Sequence, residues 1–555
     1  MLLENYLETP LRRALQALGA PDVVPELEVP KVPEHGDIAT TVALQLARSL
    51  KRPPREIAAE LVRHLELPPE DVRVEIAGPG FINFRFTPSF FTRLLRRIAD
   101  MGAAFGRLTL GAGKRANVEY VSANPTGPLH LGHGRNAALG DTIANLLEWL
   151  GYEVTREYYF NNAGAQMVLL GKSVYARYRQ LLGEHDYPFP ENGYHGEYIW
   201  DIARQIHQQY GDSLRQETPE ALELCRREAE AWCFARIRQT LERMGIRHDI
   251  YFNEDSLYRD GKVHAVLKAL EARGLLYRHE GALWLALSRF GRQDRVLVKS
   301  TGEGTYRLPD IAYHCDKLER GYDLIVDVLG ADHITTIDDV ITAVGALGYD
   351  TSRIKVVLHQ FVTLTEGGQQ VKMSKRSGKS YTLDELLDEL GPDVVRFFFL
   401  MRAPSTHLDF ELELARQQSE ANPVFYLQYA HARICSIFRH AEQNGIVPHE
   451  NADVSCLTLP PEQALIKLLV RFPERIRKAA QLYEPQLLTE DLREVAQAFH
   501  TFYHECRIVG AETPEQMHAR FVLARVTQHV LRNGLRILGV SAPERMERVE
   551  TVPSH

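Results

Sequence analysis

Apolar positions recur every three to four residues in LRRALQALGA, IATTVALQLARSL and PREIAAELVRHL, which predicts helices near the start of the chain. The period then changes. In VRVEIAGPGFINFRF, Val72, Val74 and Ile76 alternate up to a Gly-Pro-Gly turn and a second short strand, so residues 1–105 are expected to form a small α/β unit. A Gly-rich connector, FGRLTLGAGKR, follows. From Asn117 to about Leu400, strand-like runs (NVEYVSANP, YEVTREYYF, DLIVDVLG, IKVVLHQFVTL) alternate with helical patterns, predicting parallel β/α units over 106–400. Long helical patterns between about 165 and 300 predict a helical insertion between two halves of that sheet. Beyond Ala415 only helical periodicity remains, punctuated by Pro460-Pro461 and Glu484-Pro485, so 415–555 is expected to be an all-α bundle.

Composition narrows the class. The 555 residues suffice for three or four folding units. Lys and Arg total 65 against 73 Asp and Glu, a net charge of −8, which excludes a uniformly basic coat and confines any nucleic-acid surface to a local patch. The six cysteines (Cys225, Cys233, Cys315, Cys435, Cys456, Cys506) contain no C-x-x-C pair and fit reduced thiols. The opening MLLENYLETPLRR carries Glu4 and Glu8, and no run of about 18 apolar residues occurs, so a soluble cytoplasmic chain without leader or membrane span is expected.

The densest chemical signal is Asn124-Pro-Thr-Gly-Pro-Leu-His130-Leu131-Gly132-His133-Gly134-Arg135-Asn136, placed after the first strand of the large unit. A helix that starts there offers free N–H groups and a positive dipole end to phosphate. Gly132 and Gly134 remove side chains where a flat ring or phosphate comes close, and His130 and His133 fall on one helical face. Other readings of this run compete. An H-x-x-H pair is a metal motif, but no third ligand is evident. The pair also suits an ordinary helix start. G-x-G-x-x-A over 132–137, with Glu153 about 20 residues on, matches a dinucleotide-binding pattern. Gly111-Ala-Gly113-Lys114 fails the P-loop spacing, since position 108 is Leu and 115 is Arg. The second signal, Val371-Lys372-Met373-Ser374-Lys375-Arg376-Ser377-Gly378, sets three cations between glycines, a clamp suited to triphosphate or else a plain solvated charge run.

Together HLGH and KMSK resemble the two signatures of class I aminoacyl-tRNA synthetases. EYVSANPTGPLHLGHGRN, TYRLPDIAYHCDK, GADH and NPVFYLQYAHARI are similar to arginyl-tRNA synthetases, as are PEHGDIATTVALQLA and AGPGFINF near the start, so the resemblance spans essentially the whole chain. It implies a Rossmann-like doubly wound catalytic core, an additional tRNA-binding domain over 1–105 and a helical anticodon-binding domain over 415–555. The implied activity is ATP-dependent ligation of arginine to its tRNA through an arginyl-adenylate, with magnesium carried mainly by the ATP phosphates. Some members replace the second signature lysine by one just before the first signature; here position 127 is Gly and Lys375 is present.

By the same resemblance His130, His133, Lys372 and Lys375 are the catalytic cations and donors. Gly132, Gly134, His359, Gln360, Met373 and Ser374 are expected at ATP. Glu119, Ser122, Asn124 and His333 are expected at the amino-acid head group, and Tyr306, Asp310 and Glu254 around the guanidinium. A helix N-cap is the competing role for Asp310. For tRNA the bulk charge of 421–555 is uninformative, at 15 basic and 15 acidic residues. Helical spacing places Arg525, His529, Arg532 and Arg536 on one face, and Arg471, Arg475 and Lys478 on another. Tyr426, Tyr429 and Phe438 are the candidate base-stacking rings, with core packing as the alternative. A dinucleotide oxidoreductase and a tRNA-binding module with a degenerate core are the rival functions. A monomer is expected.

Overall fold

The computed structural model describes residues 3–30, 32–371 and 381–546. The first unit is an antiparallel four-stranded sheet, ordered Leu27–Glu28, Ile38–Thr40, Phe81–Phe86, Val72–Ala77. Helices Leu3–Ala17, Val42–Leu50, Pro54–His64 and Pro88–Met101 belong to this part of the chain.

The centre is a parallel sheet of β1 (Arg115–Glu119), β2 (Glu153–Phe160), β3 (Ile250–Asn253), β4 (Leu324–Gly330) and β5 (Ile354–His359). Their spatial order is β5-β4-β1-β2-β3. This doubly wound order reverses direction between β1 and β4, and ligands of such sheets bind outside the strand C-termini at that switch point. Helix α1 (Leu131–Trp149) leaves β1 there and is buried along most of its length. Gly140 lets α1 sit directly on the Tyr120 side chain, which is fully buried.

The stretch expected as one helical insertion, 165–300, is two pieces of different kind. Helices Ala165–Leu181, Glu197–Tyr210 and Pro219–Arg243 form one, around their own apolar cluster of Met167, Val174, Ile199, Ile206 and Cys233. The chain then re-enters the core as β3 before building helix Lys262–Ala272 and an antiparallel sheet of Leu276–His279, Ala282–Leu285 and Arg295–Val298. A four-residue half-buried strand such as IYFN has too few positions for periodicity to separate it from helix. The hairpin joining Leu276–His279 to Ala282–Leu285 turns at Glu280 and Gly281, both at positive φ, 49° and 76°. IKVVLHQFVTL likewise divides, its first half being β5 and its second, Val362–Glu366, pairing in parallel with Leu408–Glu411 in a separate small sheet.

Helices α2 (Arg307–Glu319) and α3 (Ile334–Ala346) flank β4, and α4 (Pro423–Gln443), α5 (Pro460–Leu482), α6 (Gln486–Glu505) and α7 (Pro514–Leu538) make the C-terminal bundle. One apolar core runs from Leu3 through α1 to Val540. Its polar joint is Arg396, 1% exposed, which donates to Leu538 O at 3.0 Å, Met244 O at 2.8 Å and Asp141 of α1 at 2.6 Å. Three parts of the chain therefore meet at one guanidinium. Among the described residues no helix is long and apolar enough to cross a membrane.

At an open helical position alanine gains up to about 1 kcal/mol over glycine. At 140 the added methyl would overlap Tyr120, so Gly140→Ala is expected to destabilise by about 1–3 kcal/mol, seen as a lower urea midpoint. A higher midpoint would show that helix and strand are not in such close contact.

Candidate active site

The segment after β1 is held by its side chains in an unusual backbone. Val121 and Ser122 take φ of 68° and 44°, a region costly for a β-branched residue. Asn136, from the second turn of α1, accepts the Val121 N–H at 2.6 Å and donates to Val328 O of β4 at 2.8 Å. Ser122 donates to Glu119 at 2.9 Å and accepts from the Tyr159 N–H at 3.1 Å. The chain thereby crosses the strand ends in a fixed path to His130.

His130 is the N-cap of α1. Its Nδ1 accepts the Gly132 N–H at 3.1 Å, while His133 Nδ1 accepts the His130 N–H at 3.3 Å. An accepting Nδ1 bears no hydrogen, so each ring carries its proton on Nε2. The rings stack with centroids 3.7 Å apart. Burial, aided by His130 and His359, brings the His133 pKa down to about 3, and burial also lowers His130. At neutral pH the helix start therefore presents two neutral Nε2–H donors beside a positive dipole end, a combination suited to phosphoryl oxygens.

The chain that follows the second signature reaches the first. The Leu383 N–H donates to Leu129 O at 2.9 Å, and Thr382 bridges His130 in antiparallel fashion. Residues immediately beyond the second signature are thus bonded to residues immediately before the first histidine. Lys372, Met373, Ser374 and Lys375 themselves lie outside the described residues.

On the other side of β1 the ends of β2 and β3 and the start of α2 bring acids together. Glu254 accepts from Tyr159 OH at 2.6 Å and Asn161 Nδ2 at 2.8 Å. Asp310 lies in the first turn of α2, inside the helix rather than at its N-cap, which is Tyr306. Burial, with the charges of Glu119 and Glu254 nearby, pushes the Asp310 carboxyl up to about 7. Beneath it Lys317, fully buried, pairs with Glu119 and with Asp327 at 2.6 Å, and His314 links Asp327 at 3.0 Å to the Asp310 carbonyl at 2.7 Å. Asp327 is held well below its ordinary value by Lys317 and His314 against the cost of burial. Asp310 itself lacks such a partner and calls for a cation.

Other expected residues divide by environment. Asn124 is exposed, accepting the Asn161 N–H at 3.0 Å, and His333 is 57% exposed at the end of β4. The Tyr306 ring is 78% exposed, one turn before Asp310. Glu119 is occupied by Lys317 and Ser122. A Cβ at Gly132 would lie 3.0 Å from the His130 ring, so that glycine serves the histidine pair. A Cβ at Gly134 would strike Leu383 and Phe399 at 2.7 and 2.8 Å, so helix packing requires this glycine. Both ring nitrogens of His359 are engaged within the protein, with Asn136 at 3.1 Å and Gln360 O at 3.3 Å. The Gln360 backbone donates to Pro404 O at 2.9 Å. Tyr159, Asn161 and Lys317 went unforeseen, since Glu254 and Glu119 lie 95, 93 and 198 residues from them; His314 also went unforeseen, although its partners Asp310 and Asp327 are 4 and 13 residues away.

In the bundle, Arg525 and His529 line a cleft of about 1020 Å³ between helix Pro88–Met101 and α4, with the Arg525 guanidinium 3.7 Å from the Phe438 ring centre. Arg532 and Arg536 line a different cleft, beside Arg243 and Asp393. The second stripe is largely structural: Arg471 donates to Asp37 O at 3.4 Å, Arg475 pairs with buried Asp491 at 3.3 Å, and Lys478 is exposed. Tyr429 lines a cleft of about 1360 Å³ with Arg433, His500 and Tyr503, whereas Tyr426 lines a smaller one with Glu420 and Arg493.

Glu153 stands at the N-terminal end of β2, the wrong end for a ribose-binding acid, which disposes of the dinucleotide reading. A doubly wound sheet with a histidine turn at its switch point, joined to a second distant segment, has the architecture of a class I aminoacyl-tRNA synthetase. Family descriptions match in three places: "Arginyl tRNA synthetase N terminal domain" over residues 5–86, "tRNA synthetases class I (R), catalytic domain" over 103–393, and "DALR anticodon binding domain" over 427–546. The arginine-tRNA ligase of Salinibacter ruber is 50% identical over 98% of this chain and 100% of its own, and that of Carboxydothermus hydrogenoformans 47% identical over 97% of both. The solved arginyl-tRNA synthetase of Thermus thermophilus shares the fold, with a TM-score of 0.78 at 24% identity over 98% of this chain and 100% of that one. The chain belongs to the arginyl-tRNA synthetase family.

A carboxyl whose folded pKa lies above its unfolded value contributes stability at low pH that is lost as pH rises through the folded value. For Asp310 the window runs from about 4, the unfolded value, to about 7. Asp310→Asn is expected to melt at a higher temperature than the parent at pH 8 without ligand, the gain vanishing near pH 4. Equal melting at pH 8 would show that the carboxylate is not held under this pressure.

Proposed function

We infer that this chain catalyses ATP-dependent ligation of L-arginine to its cognate tRNA in translation. The observation that carries the substrate is Asp310, a carboxylate with no cationic partner among the described residues, beside Glu254 and across the switch point from the histidine turn. A guanidinium offers five donors in a planar fork and pairs with carboxylates of this kind. Asp310 and Glu254 are assigned to it, with Tyr306 as the covering ring. Asn124, Ser122 and His333 are assigned to the head group, with Glu119 fixing Ser122.

The arginine carboxylate, ionised at neutral pH, attacks the α-phosphorus of ATP while the bond to pyrophosphate breaks. The tRNA 2′-hydroxyl then attacks the adenylate carbonyl, releasing AMP. Neither step needs a covalent enzyme intermediate, so the work is alignment and charge stabilisation. His130 and His133 are assigned to phosphate oxygens through Nε2–H. Lys372 and Lys375, with Met373 and Ser374, are assigned from sequence to the pyrophosphate side, and Gly132 and Gln360 to the walls of the nucleotide site. Magnesium is assigned to the ATP phosphates and water, its usual ligands beside a nucleotide. For tRNA we assign Arg525, Arg532, Arg536 and Tyr429. A cytoplasmic monomer is the working state, in keeping with six unpaired cysteine thiols.

Aminoacylation assayed with arginine, lysine, citrulline and canavanine tests the reaction; charging of lysine in preference to arginine would overturn it. Because a cation binds ionised Asp310, the KM for arginine is expected to climb as pH falls below about 7, and Asp310→Ala to raise it roughly 10- to 100-fold with far less effect on the KM for ATP. Equal effects on both constants would remove Asp310 from the amino-acid pocket.

A further inference from the structure

Arg135 follows the histidine turn and is 0% exposed. Its Nη1 donates to Gln360 O at 2.8 Å, and its Nη2 donates to Ala403 O at 3.0 Å and Thr406 O at 2.9 Å. These carbonyls precede the paired strands Val362–Glu366 and Leu408–Glu411. Nε has no partner among the described residues. Burial lowers the pKa to about 10 and no neighbouring anion pulls it back, so the group remains a cation at neutral pH. The guanidinium stands on the same helix as His133, two residues on, and shares the Gln360 carbonyl with His359 Nδ1, at 2.8 and 3.3 Å.

Burying an ion is expensive, and carbonyl dipoles offset only part of the cost. A neutral amide would satisfy carbonyls more cheaply. A cation maintained without a carboxylate, behind a turn that offers donors to phosphate, matches a polyanion that arrives from outside. We propose that Arg135 is a positioning residue of the nucleotide site, whose buried charge holds the triphosphate over His130 and His133 without touching it. This rests on the assignment of ATP to that turn.

The test is steady-state aminoacylation by Arg135→Gln and Arg135→Lys, with the KM for ATP and for arginine and the inhibition constant of adenosine, which shares the base and ribose but carries no phosphate. Arg135→Gln is expected to raise the KM for ATP about tenfold or more while adenosine inhibition and the KM for arginine stay within about twofold. Arg135→Lys keeps the charge and is expected to restore the preference for ATP over adenosine. Equal weakening of ATP and adenosine, or a lysine variant as impaired as the glutamine one, would reduce Arg135 to a tether and overturn the proposal. So would an unchanged KM for ATP in Arg135→Gln. If Arg135→Gln does not fold, the ATP-to-adenosine ratio of Arg135→Lys decides: a parental ratio supports the charge, a collapsed one refutes it. A parent protein that consumes no ATP would refute the nucleotide assignment itself.

Discussion

The site depends on a joint between segments about 250 residues apart in sequence. The Leu383 N–H donates to the Leu129 carbonyl at 2.9 Å, and Thr382 bridges His130, so the chain leaving the second signature is laid against the first. Local propensity has no means of specifying such a bond. It follows from the doubly wound sheet, which brings β1 and β4 side by side, and from α1, whose Gly134 lets Leu383 and Phe399 of the returning chain pack closely against it. Arg135 and Asn136 then secure neighbouring strands to the same turn.

Around that joint, electrostatics is divided. On the histidine side the donors are neutral and Arg135 of the same helix is a buried cation without a carboxylate partner, which suits an incoming polyanion. On the acid side Lys317, Arg320 and His314 pair with Glu119, Glu157 and Asp327, and Asp310 makes no ion pair of its own among the described residues. Both imbalances are destabilising in the free protein, of opposite sign, and lie on opposite sides of β1. A cationic amino acid and an anionic nucleotide would relieve them together, with their reacting ends meeting above the strand.

Much of this was legible in sequence, for physical reasons. A strand followed by His-Leu-Gly-His at a helix start is a local pattern, and the strand and helix alternation up to Leu400 and the helices beyond Ala415 follow from period alone. What escaped was either short or remote. β3 has four residues, too few to show a period. Lys317 and Arg135 looked like ordinary helical positions, because burial and partners 198 and 225 residues away determine their roles. The Arg471 stripe had the right spacing for a phosphate-binding face, but it faces Asp37 and Asp491.

Val121 and Ser122 have a further consequence. Held left-handed by Asn136 and by the Glu119–Ser122 pair, they cannot relax into the many shapes open to an ordinary loop. The entropy of ordering the segment that leads to His130 is therefore surrendered when the polypeptide folds, once in its lifetime, and does not recur with each round of catalysis.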